Sequence, residues 1–309
     1  MKRRTFVASA AVAGLATAAS NLAFAQTGAD QAPATAQGDE MAASAPETGY
    51  APVNGLEVYY EMQGGGGTPL VLLHGAFGTV DMFGPLRAAL AEARTVIAVE
   101  LQGHGRTADI DRPFTYPQFA DDVAALLQYL SLEQADFFGY SMGGYTAQQV
   151  AIRHPELVRK LVIASASFNK EGVYPEVWEG IESLSPELFE GSPPQTEYAR
   201  LAPNPDAWPA LIEKVKQMEQ AFTGWPAEDV AAIEAPTLLT AGDADILRPQ
   251  HIAEMFQLLG GGVPGDFVGL PKAQLAVLPG TTHVGVVERT EWLHSMITAF
   301  LDAPMPEVA

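Results

Sequence analysis

The chain has 309 residues, 48% of them hydrophobic, which is enough for a substantial core, and its 17 basic and 37 acidic side chains give a net charge of −20. That balance disfavours nonspecific attraction to nucleic acid or to an anionic membrane surface. With no cysteine, the chain can have no disulfide, no thiolate metal site and no cysteine nucleophile.

Residues 1–25 open on Lys2, Arg3 and Arg4, run through a mildly apolar, Ala-rich stretch and end on Ala23-Phe-Ala25. A basic start, an apolar middle and a small-x-small end are the parts of an export signal, and Arg3-Arg4 with Phe6 is similar to the twin-arginine class. The many Ala, Ser and Thr residues make a weak spanning helix, so cleavage after Ala25 is expected. A periplasmic or secreted protein with no stable membrane span would result. Residues 26–49 carry almost no large apolar side chain and cannot repay the entropy of ordering, which predicts a disordered linker.

From residue 50 to 303 the pattern is that of one folded domain, followed by a short tail at 304–309. Strand-like runs at 56–62, 69–73, 95–101, 136–140, 160–164, 236–240 and 274–278 alternate with helical segments at 83–91, 116–132, 145–154, 249–259 and 290–303. Strand, helix, strand is a crossover unit, and its repetition implies an α/β fold with a mostly parallel sheet covered on both faces. Residues 168–232 break the alternation. They hold many prolines and helix-like pieces such as 209–222, which predicts a helical cap over the sheet. Residues 260–271 read as a Gly-rich loop.

The strand at 136–140 runs into Gly139-x-Ser141-x-Gly143, and a helix follows at once. A strand that turns sharply into a helix lifts the residue at the turn clear of the sheet, beside N–H groups that suit a developing oxyanion. A serine hydroxyl needs a base within hydrogen-bond reach and a group that orients the base. His283 is the base to expect, because Pro279-Gly-Thr-Thr-His283 places it just after the last strand, at the sheet edge where Ser141 should sit. His251 and His294 lie within helices and His154 at a helix end, while His74 and His104, beside glycines, are expected to fix loops. Asp245, in Ala241-Gly-Asp-Ala-Asp245 after the strand at 236–240, is the expected orienting acid, with Asp243 bound to the backbone of the turn. Met142 and Ala76 are the expected oxyanion donors, with Phe77 as the alternative to Ala76. No pair of histidines is spaced like a zinc site, so neither metal nor cofactor is proposed.

Taken together, His74-Gly75, Gly103-His-Gly105, Gly139-Tyr-Ser-Met-Gly143, Gly242-Asp-Ala-Asp245 and Gly280-Thr-Thr-His283 resemble the α/β-hydrolase fold family, in the family's order of Ser, Asp, His. The resemblance implies an eight-stranded, mostly parallel sheet with antiparallel first strands and a cap. It also implies a serine hydrolase acting on a carboxylic ester or similar acyl bond. Lactone, thioester or carbon–carbon bond cleavage, or cofactor-free perhydrolysis, would use the same residues, and a slow or non-catalytic ligand-binding protein is the alternative of a different class. Glu100 departs from the family, where many relatives carry Asp. The cap aromatics Trp178, Trp208, Trp225, Phe189 and Phe222 suit either a pocket for a small molecule with an apolar acyl or aromatic part, or the pinning of the cap to the sheet.

Overall fold

Alternation along the buried strands divides the core into two layers. Val71, Leu73, Ile97, Val99, Phe137, Leu161 and Ile163 point to one face of the sheet, and Leu70, Leu72, Val96, Ala98, Phe138, Val162 and Ala164 to the other. The structure is a computed structural model and describes residues 45–305. The expected export signal at 1–25 and most of the expected linker at 26–49 lie outside the described residues. The linker expectation is corrected at its end: Glu47–Val53 forms strand β1, antiparallel to β2 (Leu56–Gln63), with Glu47, Thr48 and Gly49 opposite Met62, Glu61 and Tyr60.

Strand β3 (Leu70–Leu73) is followed by helix α1 (Gly84–Ala91), β4 (Val96–Val99), α2 (Tyr116–Tyr129), β5 (Ala135–Tyr140), α3 (Met142–Arg153) and β6 (Val158–Ala164). The cap comes next, as α4 (Pro175–Glu182), α5 (Pro193–Leu201), α6 (Trp208–Ala221) and α7 (Ala227–Ala231). Strand β7 (Thr237–Ala244), α8 (Pro249–Leu258), the short α9 (Gly265–Val268), β8 (Ala273–Thr282), α10 (Gly285–Glu288) and α11 (Thr290–Asp302) complete the domain. The stretch expected as a Gly-rich loop therefore contains one helical turn, α9.

The eight strands form one sheet in the order β1-β2-β4-β3-β5-β6-β7-β8. The pairings β1–β2 and β2–β4 are antiparallel, and all those from β4–β3 to β7–β8 are parallel. Residues of α2, α3 and α8 pack on the first face, and α1 and α11 on the second. Parallel strands end at the same edge, so the loops after β3, β5, β7 and β8 converge there. The cap is fastened over that edge by bridges between Asn169 and Gly224 and between Val173 and Leu247, and by the Trp225 N–H to the Phe168 carbonyl at 2.8 Å. Among the described residues no helix is long and apolar enough to cross a membrane.

Candidate active site

Strand β5 passes into α3 through Ser141, whose φ of 52° and ψ of −120° lie where a side chain is rarely tolerated. The turn is possible because its neighbours have no side chain. A Cβ on Gly139 would stand 2.2 Å from the Gly143 carbonyl oxygen, and one on Gly143 would stand 2.0 Å from the Leu73 carbonyl oxygen. The Ser141 N–H bonds the Ala164 carbonyl at 2.9 Å, and the Ser141 carbonyl accepts from Gly144 and Tyr145 at 2.7 and 3.0 Å. These bonds hold the strained residue at the junction.

His283, directly after β8, reaches Ser141 and Asp245 at once. Its Nε2 lies 3.0 Å from the Ser141 hydroxyl and its Nδ1 lies 2.7 Å from Asp245 Oδ1. Asp245 follows β7 and accepts further hydrogen bonds from the Ser165 hydroxyl at 2.6 Å, the Gly242 N–H at 3.2 Å and the Ile246 N–H at 2.7 Å. Burial would raise the Asp245 carboxyl, but the charge and hydrogen bond of His283, with the donors from Ser165 and Gly242, hold it below its ordinary range. Asp245 is thus an acceptor facing His283 Nδ1, while Nε2 of the same ring faces the Ser141 hydroxyl. Asp243 instead accepts from the Thr281 N–H at 3.0 Å, a loop-fixing contact.

The N–H groups of Ala76, Phe77 and Met142 make no backbone hydrogen bond among the described residues. Met142 opens α3, where no carbonyl of the helix lies four residues back. Ala76 and Phe77 are the central residues of a turn closed by the Gly78 N–H to Gly75 carbonyl bond at 3.1 Å, and Phe77 takes the positive φ, 61°. Ser141, His283, Ala76 and Phe77 all line one cavity of about 250 Å³ beneath the cap. Its walls are otherwise mainly apolar, with Met82, Val177, Ile181 and Val287 among them.

Of the cap aromatics, Trp178 lines this cavity. Trp208 and Phe189 pack against each other and on Phe77, and Phe222 and Trp225 pack on Tyr116, so these four pin the cap. His74 accepts from the Leu101 N–H at 3.1 Å, His104 sits 3.0 Å from the Gln102 carbonyl, and both stay neutral because burial lowers their pKa values to about 4 and about 3. Glu100 is buried and grips the backbone and guanidinium of Arg106 at 2.5 and 2.6 Å, which closes the loop after β4. Among the described residues no cluster of three or more His, Asp or Glu side chains is arranged to hold a metal ion.

Three residues of the site were not anticipated from sequence. Ser165 bonds Asp245, and the Tyr140 hydroxyl donates to the His283 carbonyl at 3.0 Å. Glu219, on α6, lines the cavity and accepts from the Tyr116 hydroxyl at 2.6 Å. Glu219 continues the apolar stripe Leu211, Ile212, Val215 and Met218, and a carboxylate at such a position was the available signal. Burial pushes its carboxyl up to about 7, against the hydrogen bond from Tyr116 and the charge of His283. A carboxyl raised on folding contributes stability that is present below the unfolded value and lost as pH rises through the folded one. Glu219→Gln is therefore expected to raise the melting temperature, relative to wild type, more at pH 8 than at pH 5. An equal shift at both values would show that the buried charge costs nothing.

A family model described as the alpha/beta hydrolase fold matches residues 68–207. The chain is 30% identical to the dihydrolipoyllysine-residue acetyltransferase component of the acetoin cleaving system of Pseudomonas putida, over 88% of this chain and 74% of that protein. It is 28% identical to the serine hydrolase BPHL of Mus musculus, over 65% of this chain and 72% of the relative. Among solved structures, the enol-lactonase from Burkholderia xenovorans LB400 superposes with a TM-score of 0.63 at 23% identity, covering 82% of this chain and 100% of the other. Sheet order, the strained turn at Ser141 and these similarities agree, and the chain belongs to the α/β-hydrolase fold family.

Proposed function

We propose that this hydrolase cleaves a carboxylic ester or similar acyl bond, with Ser141 as nucleophile, His283 as base and Asp245 as the orienting acid. The observation that carries the reading is the unbroken hydrogen-bond chain from Ser141 through His283 to Asp245, opening on an apolar cavity. As Ser141 Oγ bonds to the acyl carbon, its proton passes to His283 Nε2, and the negative charge on the acyl oxygen falls to the Ala76 and Met142 N–H groups. His283 then gives the proton to the leaving oxygen, which departs and leaves an acyl-serine. Water attacks that ester by the same steps in reverse, and the acid and free Ser141 are released.

A cavity of about 250 Å³ with apolar walls suits a small substrate with an apolar acyl or aromatic part. Export to the periplasm or beyond is proposed on the signal-like residues 1–25. The reading is tested with p-nitrophenyl esters of increasing acyl length. Hydrolysis with an optimum at short or medium chains supports it, and failure to turn over any of them sinks it.

Ser165 acts through Asp245 in this scheme. Its removal takes a charge-assisted hydrogen bond worth about 1.5–3 kcal/mol from the orienting carboxylate, equivalent to roughly 10- to 100-fold in rate. Ser165→Ala is expected to lower kcat within that range with KM little changed. A change confined to KM or to the melting temperature would show that Ser165 only supports the fold.

A further inference from the structure

Each of the other carboxylates enclosed among the described residues has its own cation or a full set of hydrogen-bond donors. Glu61 is paired with Arg87, Glu100 with Arg106, Asp122 with Arg112 and Asp136 with Arg159, while Asp245 is held by four hydrogen-bond donors, His283 among them. Glu219 is the exception. Its Oε1 accepts from Tyr116, its Oε2 has no hydrogen-bond partner among the described residues, and no Lys, Arg or His side chain forms an ion pair with it there. Glu219 is partly buried and lines the cavity that holds Ser141.

Aromatic rings share the cavity with Glu219 or pack beside those that do. Tyr145 and Trp178 line the same cavity, and Phe222 packs 4.9 Å from the Tyr145 ring and 5.6 Å from the Tyr116 ring. Aromatic faces carry negative charge density, which attracts a cation and gives an unpaired carboxylate no help. Leaving a carboxylate unpaired in an apolar cavity is costly, and a ligand that brings the missing charge removes the cost. A net charge of −20 also draws cations towards the protein as a whole.

Resting on the acyl-hydrolase reading only for the cavity being the substrate site, we propose that Glu219 is a specificity-determining residue and selects substrates that carry an ammonium group. The ammonium sits against Oε2, an apolar spacer crosses the walls formed by Val177, Ile181 and Val215, and the acyl bond lies at Ser141. Tyr116 acts as a positioning residue. Its hydroxyl occupies Oε1 and leaves Oε2 for the ligand.

The test is calorimetric titration of the wild-type protein at pH 8 with n-hexylammonium chloride and with 1-hexanol, a pair of matched shape that differs in charge. Wild type is expected to bind the ammonium at least ~10-fold more tightly, in line with a desolvated cation against a carboxylate and aromatic rings. Glu219→Gln is expected to bring the ratio to about one, and Glu219→Asp to keep the ammonium preferred. A wild-type ratio near one overturns the proposal whether or not the variants fold. An unchanged ratio in Glu219→Gln also overturns it, because the preference would then come from the surface charge. Hydrolysis of p-nitrophenyl butyrate with no ammonium preference would leave the acyl-hydrolase reading standing without this one. Ammonium binding lost in Glu219→Gln, with no ester turned over by wild type, would leave the reverse.

Discussion

Ser141→Ala is expected to lower kcat on p-nitrophenyl butyrate by about 10⁵- to 10⁶-fold, the scale seen when a nucleophile that works as one unit with its base is removed. The substitution deletes one oxygen and leaves the turn in place, since the residue keeps a Cβ and its backbone bonds to Ala164, Gly144 and Tyr145. Substrate affinity should change little, because the cavity walls come from other residues. A folded Ser141→Ala protein that retained even a hundredth of the wild-type rate would assign the chemistry to another group. Removing His283 should cost a similar factor, and the double variant little more than either alone.

Asp245→Asn is expected to lower kcat by about 10⁴-fold, as when an orienting acid becomes an amide and the imidazole adopts the wrong tautomer. Asp245 accepts four hydrogen bonds, from His283, Ser165 and the N–H groups of Gly242 and Ile246. An amide has one accepting end. With its NH₂ at the Oδ2 position it opposes the Gly242 N–H. Placed at Oδ1, the NH₂ opposes Ile246 and forces His283 to accept on Nδ1, so that Nε2 carries the proton and cannot take another. The measurement is kcat beside the melting temperature of the same variant. A fall in stability with kcat within tenfold of wild type would make Asp245 a structural residue only.

The strand-turn-helix around Ser141 was legible because its logic is local: an apolar run, three glycines and a helix within fifteen residues. The topology was legible for a related reason, since runs buried on both faces, such as Leu70–Leu73 and Val96–Val99, leave little choice but a covered parallel sheet. Strand β1 was not. Its early residues are exposed at the sheet edge, so Glu47, Thr48 and Gly49 look like the polar linker before them. Contacts that depend on distant segments were hidden as well. Ser165 and Asp245 are eighty positions apart, and Tyr116 and Glu219 one hundred and three. No local pattern marks such pairs, although the carboxylate on the apolar stripe of α6 was an anomaly open to reading.

The central claim is that Ser141 is an activated nucleophile, and labelling by a fluorophosphonate followed by mass-spectrometric location of the adduct tests it most directly. The probe reacts with a serine whose proton can be taken by a neighbouring base, so it reads the couple between Ser141 and His283 without reference to any substrate. A single phosphonyl adduct on Ser141, absent from heat-denatured protein, is the result expected. No adduct on the folded protein, or an adduct on another serine with Ser141 unmodified, would contradict the account.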